Sequence, residues 1–141
     1  MKLERLNTSH LNLVRQILEE AFPGDNAVRW NDENLPKTIQ HHTIYGLFFE
    51  NRLVAVAGIR NDSSKNHRNL YYLFSFAVAK GFRNRGFGTR MMELITNKLP
   101  KIHTMILNSE PYHPFLGWYR RQGFETYKRV QDTEWLVRYA F

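Results

Sequence analysis

A chain of 141 residues and 16.8 kDa is the length of one domain with a hydrophobic core of its own. With 43% hydrophobic and 23% charged residues it is neither disordered, collagen-like nor a coiled coil, and without cysteine it has no disulfide, thiolate metal site or Cys nucleophile. The net charge of +7 is uneven: residues 1–70 carry 9 basic and 8 acidic side chains, residues 71–141 carry 11 and 5. Along the chain, Lys2–Asn7 alternates Leu3 and Leu6 with charges and predicts a short edge strand. Thr8 or Ser9 is placed to cap a helix in which Leu11, Val14, Ile17 or Leu18, and Ala21 recur, ended by Pro23-Gly24. Residues 25–37 are polar and acidic, leading to a short helix near Pro36–His42.

Three strands are predicted next, at Thr43–Glu50, Leu53–Arg60 and Leu70–Ala79, separated by the turn Glu50-Asn51-Arg52 and the polar hairpin loop Asn61–Asn69. The third is apolar on both faces, as a central strand requires. The period then becomes helical: Gly88, Met91, Met92, Ile95 and Leu99 share one face, and Pro100 stops the helix. His103–Ser109 reads as a strand, and Phe115, Trp118, Tyr119 and Gln122 share one side of a helix that Gly123 caps. Strands near Glu125–Arg129 and Glu134–Tyr139 complete the order. A strand–helix–strand unit at 70–109 implies parallel pairing with a right-handed crossover, and the hairpins imply antiparallel neighbours. The expected class is therefore α/β in the α+β sense, a mixed sheet with helices packed on it in a single domain spanning 1–141.

The longest apolar run, Leu53–Ile59, is far shorter than the ~20 residues of a membrane span. No apolar stretch of signal-peptide length follows Met1, so a cytoplasmic protein is expected. The window 80–101 sets Lys80, Arg83, Arg85, Arg90, Lys98 and Lys101 against Glu93 alone. Such a zone suits an anionic partner (nucleic acid, acidic membrane or a phosphorylated small molecule), or else is a solvated basic face.

The informative stretch joins the third strand to its helix: Val78-Ala79-Lys80-Gly81-Phe82-Arg83-Asn84-Arg85-Gly86-Phe87-Gly88-Thr89. A helix N-terminus offers free N–H donors and a positive dipole end, which together attract an anion. Gly86 and Gly88 allow a phosphate close to the backbone, Thr89 adds a hydroxyl, and Arg83 and Arg85 add charge. The stretch lacks the Gly-Lys-Ser/Thr of a Walker loop and the six-position Rossmann fingerprint.

Phe76–Thr89 resembles the acetyl-CoA-binding motif of the GNAT superfamily of N-acetyltransferases, Arg/Gln-x-x-Gly-x-Gly/Ala, through Arg83, Gly86 and Gly88. A second signature, aromatic-Tyr-x-x-x-Gly-Phe, is matched by Trp118-Tyr119-Arg120-Arg121-Gln122-Gly123-Phe124. The resemblance covers nearly the whole chain. It implies a GNAT-like, mostly antiparallel twisted sheet with a central parallel β-α-β unit and helices on both faces. It also implies acetyl-CoA as co-substrate, transfer of acetyl to an amine by direct attack, and no metal.

On this resemblance the backbone of Phe76, Ala77 and Val78 lies along pantetheine, one N–H polarising the thioester carbonyl. Arg83, Asn84, Arg85, Gly86, Phe87, Gly88 and Thr89 cradle the pyrophosphate, with Asn108 as a further hydrogen-bond partner. Tyr119 corresponds to the general acid, unless it is a core tyrosine packed like Phe115. The family's strand carboxylate is missing, because Leu70–Ala79 has neither Asp nor Glu and Ser75 is its one aliphatic hydroxyl. Glu110 and His113 are candidate bases, alongside a water chain or an amine of low pKa. His10, His41, His42, His67 and His103 show no metal-ligand spacing.

Acceptor specificity would come from the first helix and the loop after it. Glu19, Glu20, Phe22, Asp25, Trp30, Asp32 and Glu33 there suit a cationic amine or basic peptide, or form a solvated acidic loop. A homodimer is compatible with the resemblance, and no membrane association is expected. Two rival readings keep other partners: a catalytically silent CoA-sensing or partner-binding module, and a nucleic-acid-binding α/β domain using the basic zone.

Overall fold

The computed structural model describes residues 1–23, 34–110 and 113–140. Its strands are β1 (Lys2–Arg5), β2 (Thr43–Phe49), β3 (Arg52–Asn61), β4 (Leu70–Val78), β5 (His103–Ser109), β6 (Glu125–Val130) and β7 (Thr133–Ala140). Its helices are α1 (Leu11–Ala21), α2 (Asn34–His41), α3 (Phe87–Thr96) and α4 (Leu116–Arg121). The strands form one sheet in the order β1-β2-β3-β4-β5-β7-β6. The described pairs are antiparallel except β4 with β5, which run parallel, as the strand–helix–strand pattern predicts. The chain divides into two compact units, Met1–Ile59 with Ser75–Lys98, and Arg60–Phe74 with Leu99–Phe141.

In the first unit β1 pairs with β2 (Leu3 opposite Leu47) and β2 with β3 (Tyr45 opposite Ala57). Glu50 and Asn51, at φ 50° and 62°, make the tight turn whose twist suits a hairpin. Val14, Ile17 and Leu18 put one stripe of α1 in the core, and Leu35 and Ile39 do the same for α2. They join Leu6, Leu47, Val54 and the α3 residues Met91, Met92 and Ile95. Each such side chain contributes about 1.5–3 kcal/mol relative to exposure.

Two details differ from the sequence reading. Neither Thr8 nor Ser9 caps α1: its N-cap is His10, without a side-chain cap bond, and the capping side chain is Asn7, at the start of the preceding 3-10 turn. A 3-10 turn, Thr8–His10, precedes α1, so the capping position falls earlier; the Asn7 side chain accepts from Ser9 N–H at 2.9 Å and His10 Nδ1 accepts from Asn7 N–H at 3.2 Å. And α3 stops at Thr96, three residues short of Leu99, with Asn97 as its C-cap.

In the second unit β5 pairs with β7 along its whole length and β6 closes on β7. Leu73, Met105, Leu107, Leu116, Phe124 and Leu136 are buried. The loop before β4 is pinned by Asp62 N–H donating to the Leu70 carbonyl at 2.8 Å. Arg60 donates to both Asp62 oxygens at 2.7 and 3.0 Å, with its guanidinium 4.7 Å from the Tyr72 ring centre.

β4 and β5 exchange partners over only three positions, Leu70 to Tyr72 against Thr104 to Ile106. Three residues beyond that pairing Ser75 has φ 53°, a left-handed conformation inside a strand. A non-glycine residue held there marks an interrupted ladder and stored backbone strain. Asp25, Trp30, Asp32 and Glu33, expected to face an acceptor, lie outside the described residues.

Candidate cofactor and catalytic sites

After β4 the chain makes a 3-10 turn, Lys80–Phe82, and enters α3 with Gly86 as N-cap at φ 84°. Asn84 is also left-handed, at φ 61°. No side chain caps α3, so the N–H groups of its first turn, among them those of Phe87 and Gly88, point out along the helix dipole. A Cβ built on Gly86 meets no atom within 4 Å, so the space over the turn is open.

Arg83 is half-buried. Its Nε donates to the Val78 carbonyl at 3.0 Å, which braces the guanidinium under the loop. Its Nη2 is buried and has no hydrogen-bond partner. A buried donor without an acceptor is costly, and a phosphate oxygen is an acceptor that would complete it. An open left-handed Gly cap, an uncapped helix end and an orphaned guanidinium N–H thus fit a pyrophosphate.

The other expected contacts divide. Phe87 is buried against Phe49 and Phe82, at 5.1 and 5.9 Å between ring centres, so only its backbone faces the turn. Arg85 has its guanidinium 5.3–6.0 Å from the centres of Phe49, Phe82 and Phe87, which fixes the loop's middle to the core. Phe76 and Ala77 are buried on β4, while the Val78 carbonyl is engaged by Arg83. Arg90 pairs with Glu93 at 3.1 Å. Of the six cations in the basic window, Arg83, Arg85 and Arg90 are thus held by local contacts, which leaves little of a continuous basic stripe.

Beside the loop lies an open cavity of about 250 Å³, lined by Gln16 and Glu20 of α1, Arg52 of β3, and Lys80 and Phe82. Two cations against one carboxylate make it mixed in charge rather than acidic.

In the second unit, the segment Trp118–Phe124 is a helix terminus of defined chemistry. Phe124 N–H donates to the Tyr119 carbonyl at 3.2 Å and Gly123 N–H to the Arg120 carbonyl at 3.0 Å. Gly123 is left-handed at φ 98°. This is a Schellman motif with Tyr119 as its third residue from the end, and the Tyr119 and Phe124 rings (5.9 Å) make its hydrophobic contact. The signature aromatic-Tyr-x-x-x-Gly-Phe therefore fixes where the tyrosine points. Burial pushes the Tyr119 phenol well above its usual pKa of 10.0, so it is protonated at neutral pH.

At the N-terminus of α4, His113 Nδ1 accepts from Phe115 N–H at 3.2 Å and the His113 carbonyl from Leu116 N–H at 3.1 Å. The neutral ring therefore carries its proton on Nε2. Burial holds the His113 pKa below 6.5, although Glu110 nearby pulls the other way. Glu110 is exposed just past the end of β5. Asn108, also exposed, accepts the Tyr72 hydroxyl at 2.9 Å, which leaves its amide NH2 as a donor. Sequence reasoning missed Glu134, a fully buried carboxylate on β7 bonded to Arg120 and Arg129. Nothing in a Thr-Glu-Trp strand distinguishes it from a solvated position.

The model of the acetyltransferase (GNAT) family matches residues 11–124, most of the chain. The chain belongs to that family. No curated protein matches it in sequence. Among solved structures, the PaiA N-acetyltransferase of Thermoplasma acidophilum, in complex with coenzyme A, superposes with a TM-score of 0.81 at 12% identity, covering 98% of each chain. Arabidopsis thaliana Naa50, with a CoA–peptide bisubstrate analogue, gives 0.77 at 16% identity over 97% of each. An aminoglycoside 6'-N-acetyltransferase with coenzyme A gives 0.79 at 12%, over 99% of this chain and 97% of that one. These likenesses carry the GNAT fold. No helix among the described residues is long and apolar enough to cross a membrane.

Proposed function

We propose that this GNAT protein transfers an acetyl group from acetyl-CoA to an amine by direct attack. The observation that carries the reading is the uncapped start of α3, where the orphaned Nη2 of Arg83 and the open turn at Gly86 both ask for an anion. Acetyl-CoA, when bound, supplies the activated acyl thioester. Arg83 and the N–H groups of 84–89 hold the pyrophosphate, and the backbone of Phe76, Ala77 and Val78 takes the pantetheine arm. Asn108 donates through its amide. One β4 N–H polarises the acyl carbonyl.

The amine nitrogen forms the new C–N bond as the C–S bond breaks. The Tyr119 phenol donates to the departing sulfur. A CoA thiolate resembles a cysteine thiolate, with a pKa near ~8.5, well below a buried phenol's. Tyr119 therefore acts mainly by a hydrogen bond that strengthens as charge builds on sulfur. Glu110 accepts the amine proton, directly or through water. His113 is the weaker base, because taking a proton on Nδ1 would break its bond to Phe115 N–H. The acceptor is an amine-bearing small molecule or peptide. The neighbours named above include one bound to a CoA–peptide bisubstrate analogue and an aminoglycoside 6'-N-acetyltransferase, so peptide and aminoglycoside amines both belong in the test panel.

Calorimetry with acetyl-CoA, followed by a thiol-release assay over an amine panel, tests the reading. Binding with turnover that falls about 10²-fold in Tyr119→Phe is the expected result. Binding without turnover of any amine would favour the silent CoA-binding module, for which the absence of a carboxylate on β4 speaks. No binding at low salt would overturn both.

A further inference from the structure

We propose that Glu134 is a positioning residue for the Tyr119 phenol, acting through Arg120; the inference rests on the acid role of Tyr119 argued above. Glu134 is 1% exposed, the most deeply buried charge among the described residues. One oxygen accepts from Arg129 Nη2 at 2.7 Å. The other accepts from Arg120 Nη2 and from the Thr126 hydroxyl, both at 3.2 Å, and Arg120 also donates to Thr126 at 3.0 Å. The carboxylate is thus the hub of a closed network joining β7, β6 and α4.

Arg120 follows Tyr119 directly in α4, a helix of only six residues. So short a helix has little intrinsic stability, and its orientation is set by what holds its ends. His113 Nδ1 bonds its first turn, Leu116 is buried against the core, and the Gly123-Phe124 motif with its Tyr119–Phe124 ring contact ends it. The Arg120–Glu134 link adds a side-chain bond from the residue next to Tyr119 to β7, and so helps to aim the phenol. Burying a carboxylate is expensive, and two guanidinium groups offset the cost only in a fixed geometry. A partner of α4 held this rigidly is suited to aligning a group that must meet a reacting atom to within a fraction of an ångström.

The test uses Arg120→Met, which cuts the link to α4 while leaving Glu134 paired to Arg129 and Thr126. Glu134 keeps Arg129 and Thr126 but loses one of its two guanidinium groups, so a lower melting temperature is expected and every readout is taken well below it, where the variant is folded. The direct readout is 19F NMR of protein labelled with 3-fluorotyrosine, the Tyr119 line being the one missing in Tyr119→Phe. In Arg120→Met that line should shift and broaden, and Arg120→Lys should bring it part of the way back. Thiol release from acetyl-CoA, to water or to the best amine of cadaverine, lysine amide and tyramine, should fall about tenfold in kcat with KM for acetyl-CoA unchanged. In the Tyr119→Phe background Arg120→Met should add nothing.

An unmoved Tyr119 line overturns the proposal without any activity measurement. So does a moved line with wild-type kcat in Arg120→Met while Tyr119→Phe is impaired, because Tyr119 would then matter without needing this alignment. If Tyr119→Phe itself keeps wild-type kcat, the acid role falls, and the positioning role for turnover falls with it. That outcome is told apart by the single variant alone.

Discussion

Gly86→Ala separates backbone strain from ligand contact. The wild-type φ of 84° is a left-handed conformation that costs an L-residue about 1–2 kcal/mol. A Cβ there meets nothing within 4 Å, so no packing term adds to the strain. The ligand-free variant should therefore lose about 1–2 kcal/mol, a fall in melting temperature of roughly 3–6 °C for a chain of this size. If a pyrophosphate occupies the open space over the turn, the same methyl also intrudes on it. Acetyl-CoA affinity should then fall at least about tenfold, or 1.4 kcal/mol, beyond any change in stability. Gly81→Ala is the control. Gly81 is also open, is not left-handed, and lies in the 3-10 turn away from the helix end. It should keep both melting temperature and affinity. Scanning calorimetry on the free proteins and titration calorimetry with acetyl-CoA read the two quantities separately. A Gly86→Ala protein that melts lower yet binds acetyl-CoA as wild type would refute the placement of the pyrophosphate on this turn.

Further expectations follow from the helix ends and the core. The His113 pKa is lowered in the fold, so the unfolded chain takes the proton first as pH falls. The stability of the neutral ring is complete above the unfolded pKa of 6.5 and drains away as pH drops through that value toward the lower folded one. His113→Asn keeps an oxygen for Phe115 N–H without titrating. Its melting temperature should change less than wild type's between pH 7.5 and 5.5, and an equal slope would contradict this origin. Gly123→Ala places an L-residue at φ 98° with its Cβ 3.4 Å from Arg138 Cδ, so it should lose about 1–2 kcal/mol in urea unfolding and also slow turnover through Tyr119. Gly46→Ala puts a methyl 2.6 Å from Leu53 Cδ1 and 2.8 Å from Leu6 Cδ2, and should cost about 1–3 kcal/mol by the same unfolding measurement while leaving acetyl-CoA affinity alone.

Both recognisable motifs of this chain are helix termini, which is why they could be read. Arg83-x-x-Gly86-x-Gly88 is an N-terminus whose left-handed glycine replaces a side-chain cap, and Tyr119-x-x-x-Gly123-Phe124 is a Schellman C-terminus. The physics of a helix end is settled within about six residues, so its signature survives in a short string. Strands were legible for a related reason: their period of two is local, and His103–Ser109 falls on β5 residue for residue. The 3-10 turn that Asn7 caps ahead of α1 was less visible, because Asn7, Thr8 and Ser9 are all good caps and the string does not say which of them begins a turn.

What did not show is what depends on distant partners. The left-handed Ser75 answers to a ladder that β4 shares with β5 for only three residues. Arg85 is legible as a phosphate-side cation, but not the packing of its guanidinium against Phe49, 36 residues earlier, and against Phe82 and Phe87. Glu134 reads as a surface acid until Arg120, 14 residues before it, is found bonded to it at 3.2 Å. Local strings thus name the groups that would bind and protonate. Long-range contacts decide how they are aimed, and a chain with no carboxylate on β4 has to find its base from that second set. Glu110, just past the end of β5, is where the proposed mechanism puts it. Glu110→Gln should accordingly lower kcat most at the acidic end of the pH profile, where a protonated amine depends on a base. A uniform loss across the profile would instead assign Glu110 to acceptor binding.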